Sequence, residues 1–280
     1  ALRSPHPRVN LVGYGSPDGD GVRAAATLLE AAGITVGATA LPFKSVDASA
    51  RWGEAWLTLV SPWIPVDEIF TDHLRKLGLP HASPPLPYGI EGSRAWLDTV
   101  TSHLGVTTLD SGTWSALVAR LAPGLPALRA EARRSGGRVG LVFDRGSLDE
   151  VLTPQFFFGA SPLDALTGLG FEVLLIHVPG AGAPRAPGDA SLSLVTARGA
   201  AFEAWAPGAD LDAVLARYDF DLVYCDAVNT GFLKRAGATP FDIRNLGMGI
   251  GGAARNLEHL LAGCRLQLYR RYRRHLRGEP

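Results

Sequence analysis

The apolar positions of this 280-residue chain follow two periods that alternate along the sequence. Short apolar runs, typical of buried strands, alternate with segments whose apolar residues recur every three or four positions, as in helices. The first strand is predicted at Val9–Tyr14, and a glycine turn leads from it to a helix at about Gly19–Ala32. Gly33 ends that helix and a second strand follows at Thr35–Ala40. This order predicts a strand–helix–strand unit with parallel strands.

The same alternation stops after residue 108 and starts again at residue 136. Before the interruption, "AWLTLVSP" predicts a strand, and "VDEIFTDHLRKLG" and "SRAWLDTVTSHLG" predict helices. Residues 111–134 predict a helix interrupted near Pro123 and Pro126. After it, "RVGLVFD", "FEVLLIHVPG" and "DLVYCDAV" predict strands, and a last helix is predicted at 252–276.

This pattern predicts an α/β protein with two Rossmann-like three-layer domains, each built on a parallel sheet. The predicted domains are residues 1–108 and 136–280, joined by a helical connector at 109–135, and a long helix ends the chain.

Charge and composition narrow the classes of partner. The 27 basic and 27 acidic side chains cancel, so no general electrostatic attraction draws this protein to nucleic acid or to an anionic membrane. No stretch approaches the roughly 20 apolar residues of a membrane-spanning helix, and residues 1–10 lack the apolar core of a signal peptide. We therefore expect a cytoplasmic protein with no nucleic-acid partner and no membrane span. The first residue, Ala1, leaves open whether a leading segment was removed.

Two glycine-rich turns raise the question of nucleotide binding. A dinucleotide fingerprint needs Gly-x-Gly-x-x-Gly between a strand and a helix, with an acidic residue roughly 20 positions later. The turn at Gly13 and Gly15 lacks the third glycine. The sequence "GMGIGG" at 247–252 has the spacing, but it follows no clear strand and precedes a run of arginines. We therefore expect no nicotinamide cofactor.

Several stretches together resemble the nitrogenase component 1 family, which includes the nitrogenase molybdenum-iron protein subunits, cofactor-assembly scaffolds, and protochlorophyllide and chlorophyllide reductases. "VNLVGYG" with "LLEAAGITV" is similar to the start of that family's second domain. "LTLVSPW" and the stretch from "FTDHLRKLG" to "TSHLG" resemble its next units. "RVGLVFD", "LDAVLARYDFDLVYCDAVNTGFLKRAGATPF" and "LGMGIGGAARNLEHLLAGC" look like its third domain and closing helix.

This resemblance implies an oxidoreductase subunit that works with an iron-sulfur cluster, a homologous component 1-type subunit and an ATP-dependent iron-sulfur reductase protein. The family's cluster cysteines lie mostly in an N-terminal domain before the stretch that resembles residues 8–34, and we expect that domain to be absent here. Cys225 and Cys264 are too few for a four-thiolate site. We therefore assign no metal ligand, and we predict no cofactor for the isolated chain.

Candidate cofactor-binding residues come from predicted strand ends and loops, and no catalytic residue is identified. Cys225 lies at the end of a buried strand, and Asp226 and Asn229 follow it, where α/β sheets place ligands. Ser93 precedes a predicted helix whose N-terminus could bind an anion, and His81 lies in a loop that could line a cleft.

Three functions fit the sequence. The first is a nitrogenase-like reductase component acting on a bound tetrapyrrole or small unsaturated compound. The second is a non-catalytic scaffold or binding subunit that pairs with a cluster-bearing homologue. The third is a two-lobed solute- or metal-chelate-binding protein, which the predicted connector also suits.

Overall fold

The computed structural model describes residues 6–15, 20–40, 52–62, 66–143, 161–177, 201–204, 215, 217–225, 237–242, 246–266 and 268–272. The chain divides into two compact units. Unit 1 comprises Ala1–Pro123, Pro154–Ala160 and Gly247–Ala254. Unit 2 comprises Gly124–Thr153, Ser161–Leu246 and Arg255–Pro280.

Unit 1 is built on a parallel sheet of the strands β1 (Arg8–Val12), β2 (Thr35–Ala40), β3 (Leu57–Val60) and β4 (His81–Ala82). The strand order is β2-β1-β3-β4. The central strands β1 and β3 are mainly apolar, and every residue of β3 is buried. Its helices are α1 (Asp20–Ala31), α2 (Val66–Lys76), α3 (Gly89–Leu104) and α4 (Ser111–Leu121), with a 3₁₀ turn at Trp52–Glu54.

Unit 2 is built on a second parallel sheet of the strands β5 (Arg138–Phe143), β6 (Glu172–His177), β7 (Ala201–Ala204), β8 (Leu222–Cys225) and β9 (Thr239–Pro240). The strand order is β7-β6-β5-β8-β9. Its helices include α5 (Leu125–Ser135) and α6 (Pro162–Leu169). The C-terminal helices are α7 (Gly249–Arg265), whose first six residues are in unit 1, and α8 (Leu268–Arg271).

Local signals explain where several helices begin and end. The Asp110 carboxylate caps α4 by accepting hydrogen bonds from the backbone N–H groups of Gly112 and Thr113. Gly105 and Gly170 end α3 and α6 in the left-handed conformation, with φ of 66° and 100°. A residue with a side chain pays a steric penalty in that region, so glycine is favoured at both stops.

The predicted fold class is confirmed: two separate parallel sheets carry flanking helices. The predicted interruption near Pro123 is also confirmed, because α4 ends at Leu121 and α5 begins at Leu125. The last helix was predicted too late and too long. It begins at Gly249 and ends at Arg265. The backbone N–H of Leu266 completes the last turn by donating hydrogen bonds to the carbonyls of Ala262 and Gly263. In the described ranges, no helix combines the length and the apolar character that crossing a membrane requires.

Candidate functional site

Strand order locates a candidate site in each unit. In a parallel α/β sheet, ligands bind beyond the carboxyl ends of the strands, at the point where the strand order reverses. That point lies between β1 and β3 in unit 1, and between β5 and β8 in unit 2.

The unit 1 edge is closed by a tight contact between the residues that follow β1 and β3. Gly13 has φ of 75° and donates its backbone N–H to the carbonyl of Ala40 at 2.9 Å. A Cβ on Gly13 would lie 3.1 Å from the Cβ of Ser61, so a side chain here would push the two strand ends apart. The Ser61 hydroxyl is buried and has no hydrogen-bond partner within the described part of the chain. Ser61 is not among the residues predicted from sequence, although a serine directly after the apolar run "LTLV" marks the end of a buried strand.

A buried aromatic pair lies next to this edge. The Trp96 indole N–H donates to the Tyr14 hydroxyl oxygen at 3.1 Å, and the ring centroids are 6.0 Å apart in an edge-to-face arrangement. Burial raises the pKa of the Tyr14 hydroxyl well above its ordinary value, and the bond from Trp96 lowers that pKa by a smaller amount. Tyr14 is therefore neutral over the physiological range and accepts the hydrogen bond from Trp96.

The glycine-rich turn at 247–252 is used for close packing. The backbone N–H of Gly249 donates to the carbonyl of Pro87 at 2.6 Å. A Cβ on Gly249 would lie 2.9 Å from the Cβ of Ala24 on α1. Gly252 has equally little room, because a Cβ there would lie 2.4 Å from the carbonyl oxygen of Gly247. These contacts account for Gly249 and Gly252 without a bound phosphate.

Ser93 lies inside α3 rather than before it. The helix begins at Gly89 with Tyr88 at its N-cap position, so the predicted helix start was wrong by one turn. The Ser93 side chain is buried, and its hydroxyl lies 2.6 Å from the carbonyl oxygen of Gly89 and 3.3 Å from that of Pro87. The hydroxyl is thus used within the first turns of the helix. A ligand-binding role for Ser93 stays a prediction.

His81 lies on the edge strand β4 and away from the carboxyl edge. Its Nδ1 is 3.0 Å from the carbonyl oxygen of Leu79. Its register partner on β3 is Thr58, three positions before Ser61, which corresponds to about 10 Å along a strand. The structure does not bring His81 and Ser61 together at one strand end.

In unit 2, Cys225 occupies the predicted position at the strand end. It is the last residue of β8, and its register partner is Val142 of β5. Its neighbours in the prediction, Asp226 and Asn229, lie outside the described residues. The candidate set of unit 2 therefore rests on the backbone position of Cys225.

The two cysteines lie near opposite ends of the strands of the unit 2 sheet, one near the amino ends and one at the carboxyl ends. Cys264 Sγ lies 3.4 Å from the position of a Cβ on Gly137, the residue before β5, whereas Cys225 pairs with Val142 near the end of β5. Val142 lies five positions after Gly137, or about 16 Å along the strand. The backbone of Cys225 and the side chain of Cys264 therefore lie near opposite ends of β5.

Among the residues that the structure describes, no three His, Cys, Asp or Glu side chains form a group that could hold a metal ion. The described residues therefore do not fit an iron-sulfur cluster ligated by this chain alone.

Two comparisons with known proteins bear on the fold and the family, and none of the curated proteins matches the chain. The structure "Nitrogenase Cp1 at pH 5" aligns with a TM-score of 0.61 at 14% identity, over 96% of this chain and 58% of that chain. "Nitrogenase Cp1 at pH 6.5" aligns with a TM-score of 0.57 at 13% identity, over 96% and 63%. The chain thus spans less than two thirds of the length of either structure, and at these identities the likeness shows the fold alone.

The family model "Nitrogenase component 1 type Oxidoreductase" matches residues 2–178. The match covers more than half of the chain and confirms the resemblance read from the sequence. This chain belongs to the nitrogenase component 1 type oxidoreductase family.

Proposed function

We propose that the chain is a component of a nitrogenase-like reductase complex. In this complex an ATP-dependent iron-sulfur protein supplies electrons for the reduction of a bound substrate, such as a tetrapyrrole or a small unsaturated compound. The observation that carries the proposal is the family match over residues 2–178, and the fold shared with the two nitrogenase Cp1 structures supports it. A homologous component 1-type subunit completes the complex.

The carboxyl edge of the unit 2 sheet is the part of the chain that we assign to substrate or cofactor contact. Cys225 ends β8 beside β5, where the strand order reverses, and Asp226 and Asn229 follow it in sequence. The iron-sulfur cluster of the complex supplies single electrons when bound. Because Cys225 and Cys264 lie near opposite ends of the unit 2 strands, cluster ligation by this chain would need thiolates from elsewhere in the complex.

The test is anaerobic purification of the full chain from its own cells, with the subunits that remain bound. We expect the complex to contain iron and to reduce a substrate only when MgATP, an electron donor and an ATP-dependent iron-sulfur protein are all present. Cys225→Ala should lower that activity at least tenfold, and the matched variant Cys264→Ala should not. A complex that lacks iron and shows no ATP-dependent reduction would contradict the proposal.

A second candidate is a scaffold subunit, favoured by the distance between the two cysteines. A scaffold would co-purify with the iron-bearing homologue, but Cys225→Ala would leave both the iron content and the activity of the complex unchanged. The same pair of variants therefore separates the two candidates.

A further inference from the structure

A groove in unit 1 lies between two helices, apart from the strand ends. Its volume is about 520 Å³, within the range of roughly 300–1,000 Å³ that is usual for small-molecule sites. From α1 it is lined by Thr27, Glu30 and Ala31. From α4 it is lined by Thr113, Ala116, Leu117 and Arg120.

Two side chains of opposite charge line this groove without pairing. The side chains of Glu30 and Arg120 are exposed, and neither side chain forms an ion pair or hydrogen bond within the described ranges. Glu30 lies in the last turn of α1, a turn that contains no basic residue. A carboxylate near a helix C-terminus is repelled by the helix dipole, so Glu30 sits where local electrostatics disfavour it. A cation bound beside Glu30 would offset that repulsion.

The remaining lining is apolar or already hydrogen-bonded. Leu117 is buried, and Ala31 and Ala116 also line the groove. The hydroxyl of Thr27 donates to the carbonyl of Arg23 at 2.9 Å, and that of Thr113 donates to the carboxylate of Asp110 at 2.6 Å. The two hydroxyls therefore have no hydrogen left to donate to a ligand. Recognition would rest on the two charges and the apolar lining.

We infer that the α1–α4 groove binds a small zwitterion with an apolar middle, of dipeptide size. Its ammonium group pairs with Glu30, its carboxylate pairs with Arg120, and its apolar part covers Leu117. This site is separate from the reductase proposal, because it needs neither a cluster nor a second subunit.

The test follows the methyl resonances of Ala31, Ala116 and Leu117 by NMR while L-leucyl-L-leucine is added to the full chain. We expect saturable shifts at these methyl groups. The N-acetylated dipeptide lacks the ammonium group and the dipeptide amide lacks the carboxylate, so each should bind more weakly than the parent.

Variants separate charge recognition from simple burial. Glu30→Gln and Arg120→Gln should each weaken binding about three- to fivefold, the range of an exposed ion pair. Ala116→Trp should fill the groove and abolish the shifts. The matched exposed changes Glu91→Gln, Arg134→Gln and Ala95→Trp lie outside the groove lining and should leave binding unchanged.

Three results would overturn the inference: no saturable shift up to the solubility limit of the dipeptide, binding of both blocked dipeptides as strong as that of the parent dipeptide, or unchanged binding to Glu30→Gln and Arg120→Gln. If these methyl groups shift only when a co-purified subunit is added, the groove is a subunit contact and the inference is also wrong. None of these results depends on whether the reductase activity is found.

Discussion

The interior strands β1 and β5 begin with almost the same residues, yet the residues at their third positions have different structural roles. β1 reads Arg-Val-Asn-Leu-Val from Arg8, and β5 reads Arg-Val-Gly-Leu-Val from Arg138. In both strands the valines and the leucine are buried. The difference lies in Asn10 and Gly140, and it shows how one apolar strand pattern can serve two kinds of sheet packing.

Asn10 forms side-chain hydrogen bonds where the pairing of β1 with β2 is irregular. The register of β1 and β2 shifts between Val9 and Leu11, where β2 contains an extra residue. The buried Asn10 side chain accepts a hydrogen bond from the backbone N–H of Ala38 at 2.9 Å and donates one to the carbonyl of Trp52 at 2.9 Å. A β-bulge leaves some backbone groups without a hydrogen-bond partner in the sheet. Here the Asn10 side chain is the acceptor for one such group, the N–H of Ala38.

Gly140 instead makes room for an aromatic ring. A Cβ at this position would lie 3.2 Å from Phe220 and 3.2 Å from a methyl group of Val223. The ladder of β5 with β6 and β8 is regular. The third position therefore requires a polar side chain in β1, whereas in β5 it requires a residue without a side chain.

The first prediction concerns Asn10→Ala, for which we expect the largest effect. The change leaves the buried N–H of Ala38 without its acceptor, which costs about 1–3 kcal/mol. It also removes a hydrogen bond to the carbonyl of Trp52, which still accepts from the N–H of Ala55 at 3.5 Å. We expect the free energy of unfolding to fall by about 2–4 kcal/mol in urea denaturation. Hydrogen exchange should accelerate in peptides from β1 and β2 but not in those from β5.

Thr35→Ala is the control for this change, because it removes an exposed hydroxyl from the same strand pair. We expect it to alter stability by less than about 0.5 kcal/mol. A similarly small effect of Asn10→Ala would show that the side-chain bonds do not support the bulge.

The second prediction is that Gly140→Ala destabilises the protein by overpacking. Extra volume in a packed core costs about 1–3 kcal/mol, and replacing a strand glycine recovers about 0.5–1 kcal/mol. We expect a net loss of about 1–2 kcal/mol, with faster hydrogen exchange in β5 and β8. Adding Phe220→Leu should restore part of this loss by removing the ring that the new methyl group contacts.

Gly168→Ala is the matched control in unit 2, because a Cβ at Gly168 would meet no atom within 4 Å. It lies within α6, where alanine is favoured over glycine, so we expect a gain of about 0.5–1 kcal/mol. Equal effects of the two changes would argue against a volume requirement at Gly140.

The third prediction is that the stability of the protein depends on pH through Tyr14, which follows β1. The pKa of Tyr14 is higher in the folded protein than in the unfolded chain, where it is about 10. The stability that Tyr14 contributes is therefore fully present below pH 10 and is lost above it, by up to about 1.4 kcal/mol per pH unit. We expect Tyr14→Phe to lack this loss, so the difference in unfolding free energy between the two proteins should change with pH above pH 10 in urea denaturation from pH 8 to 11. Parallel stability curves would contradict it.

The fourth and smallest prediction compares the two strand-opening arginines. Arg8 pairs with Glu54 at 2.8 Å, with side chains 29% and 36% exposed. Arg138 pairs with Glu172 at 3.2 Å, with side chains 56% and 69% exposed. Solvent and salt screen the second pair more strongly, so Glu54→Gln should cost about 0.5–1 kcal/mol and Glu172→Gln close to zero. Equal losses in parallel urea titrations would refute this ranking.

Local sequence determined most of the element order of this protein. Apolar periodicity and glycine stops act over a few residues, and they correctly predicted the strand at Leu57–Val60, the end of α3 at Gly105 and the break between α4 and α5. The motif resemblance correctly predicted the family, because the same order of strands and turns extends over much of the chain.

Only the tertiary structure decided the contacts between residues far apart in the chain. The pairing of Tyr14 with Trp96, the bulge at Asn10 and the separation of the two cysteines depend on which strands become neighbours. The third strand position differs between the two sheets because its neighbours differ. Asn10 hydrogen-bonds to the irregular strand β2, whereas Gly140 lies next to the ring of Phe220. Periodicity reports which face of an element is buried, but not which distant side chain covers it.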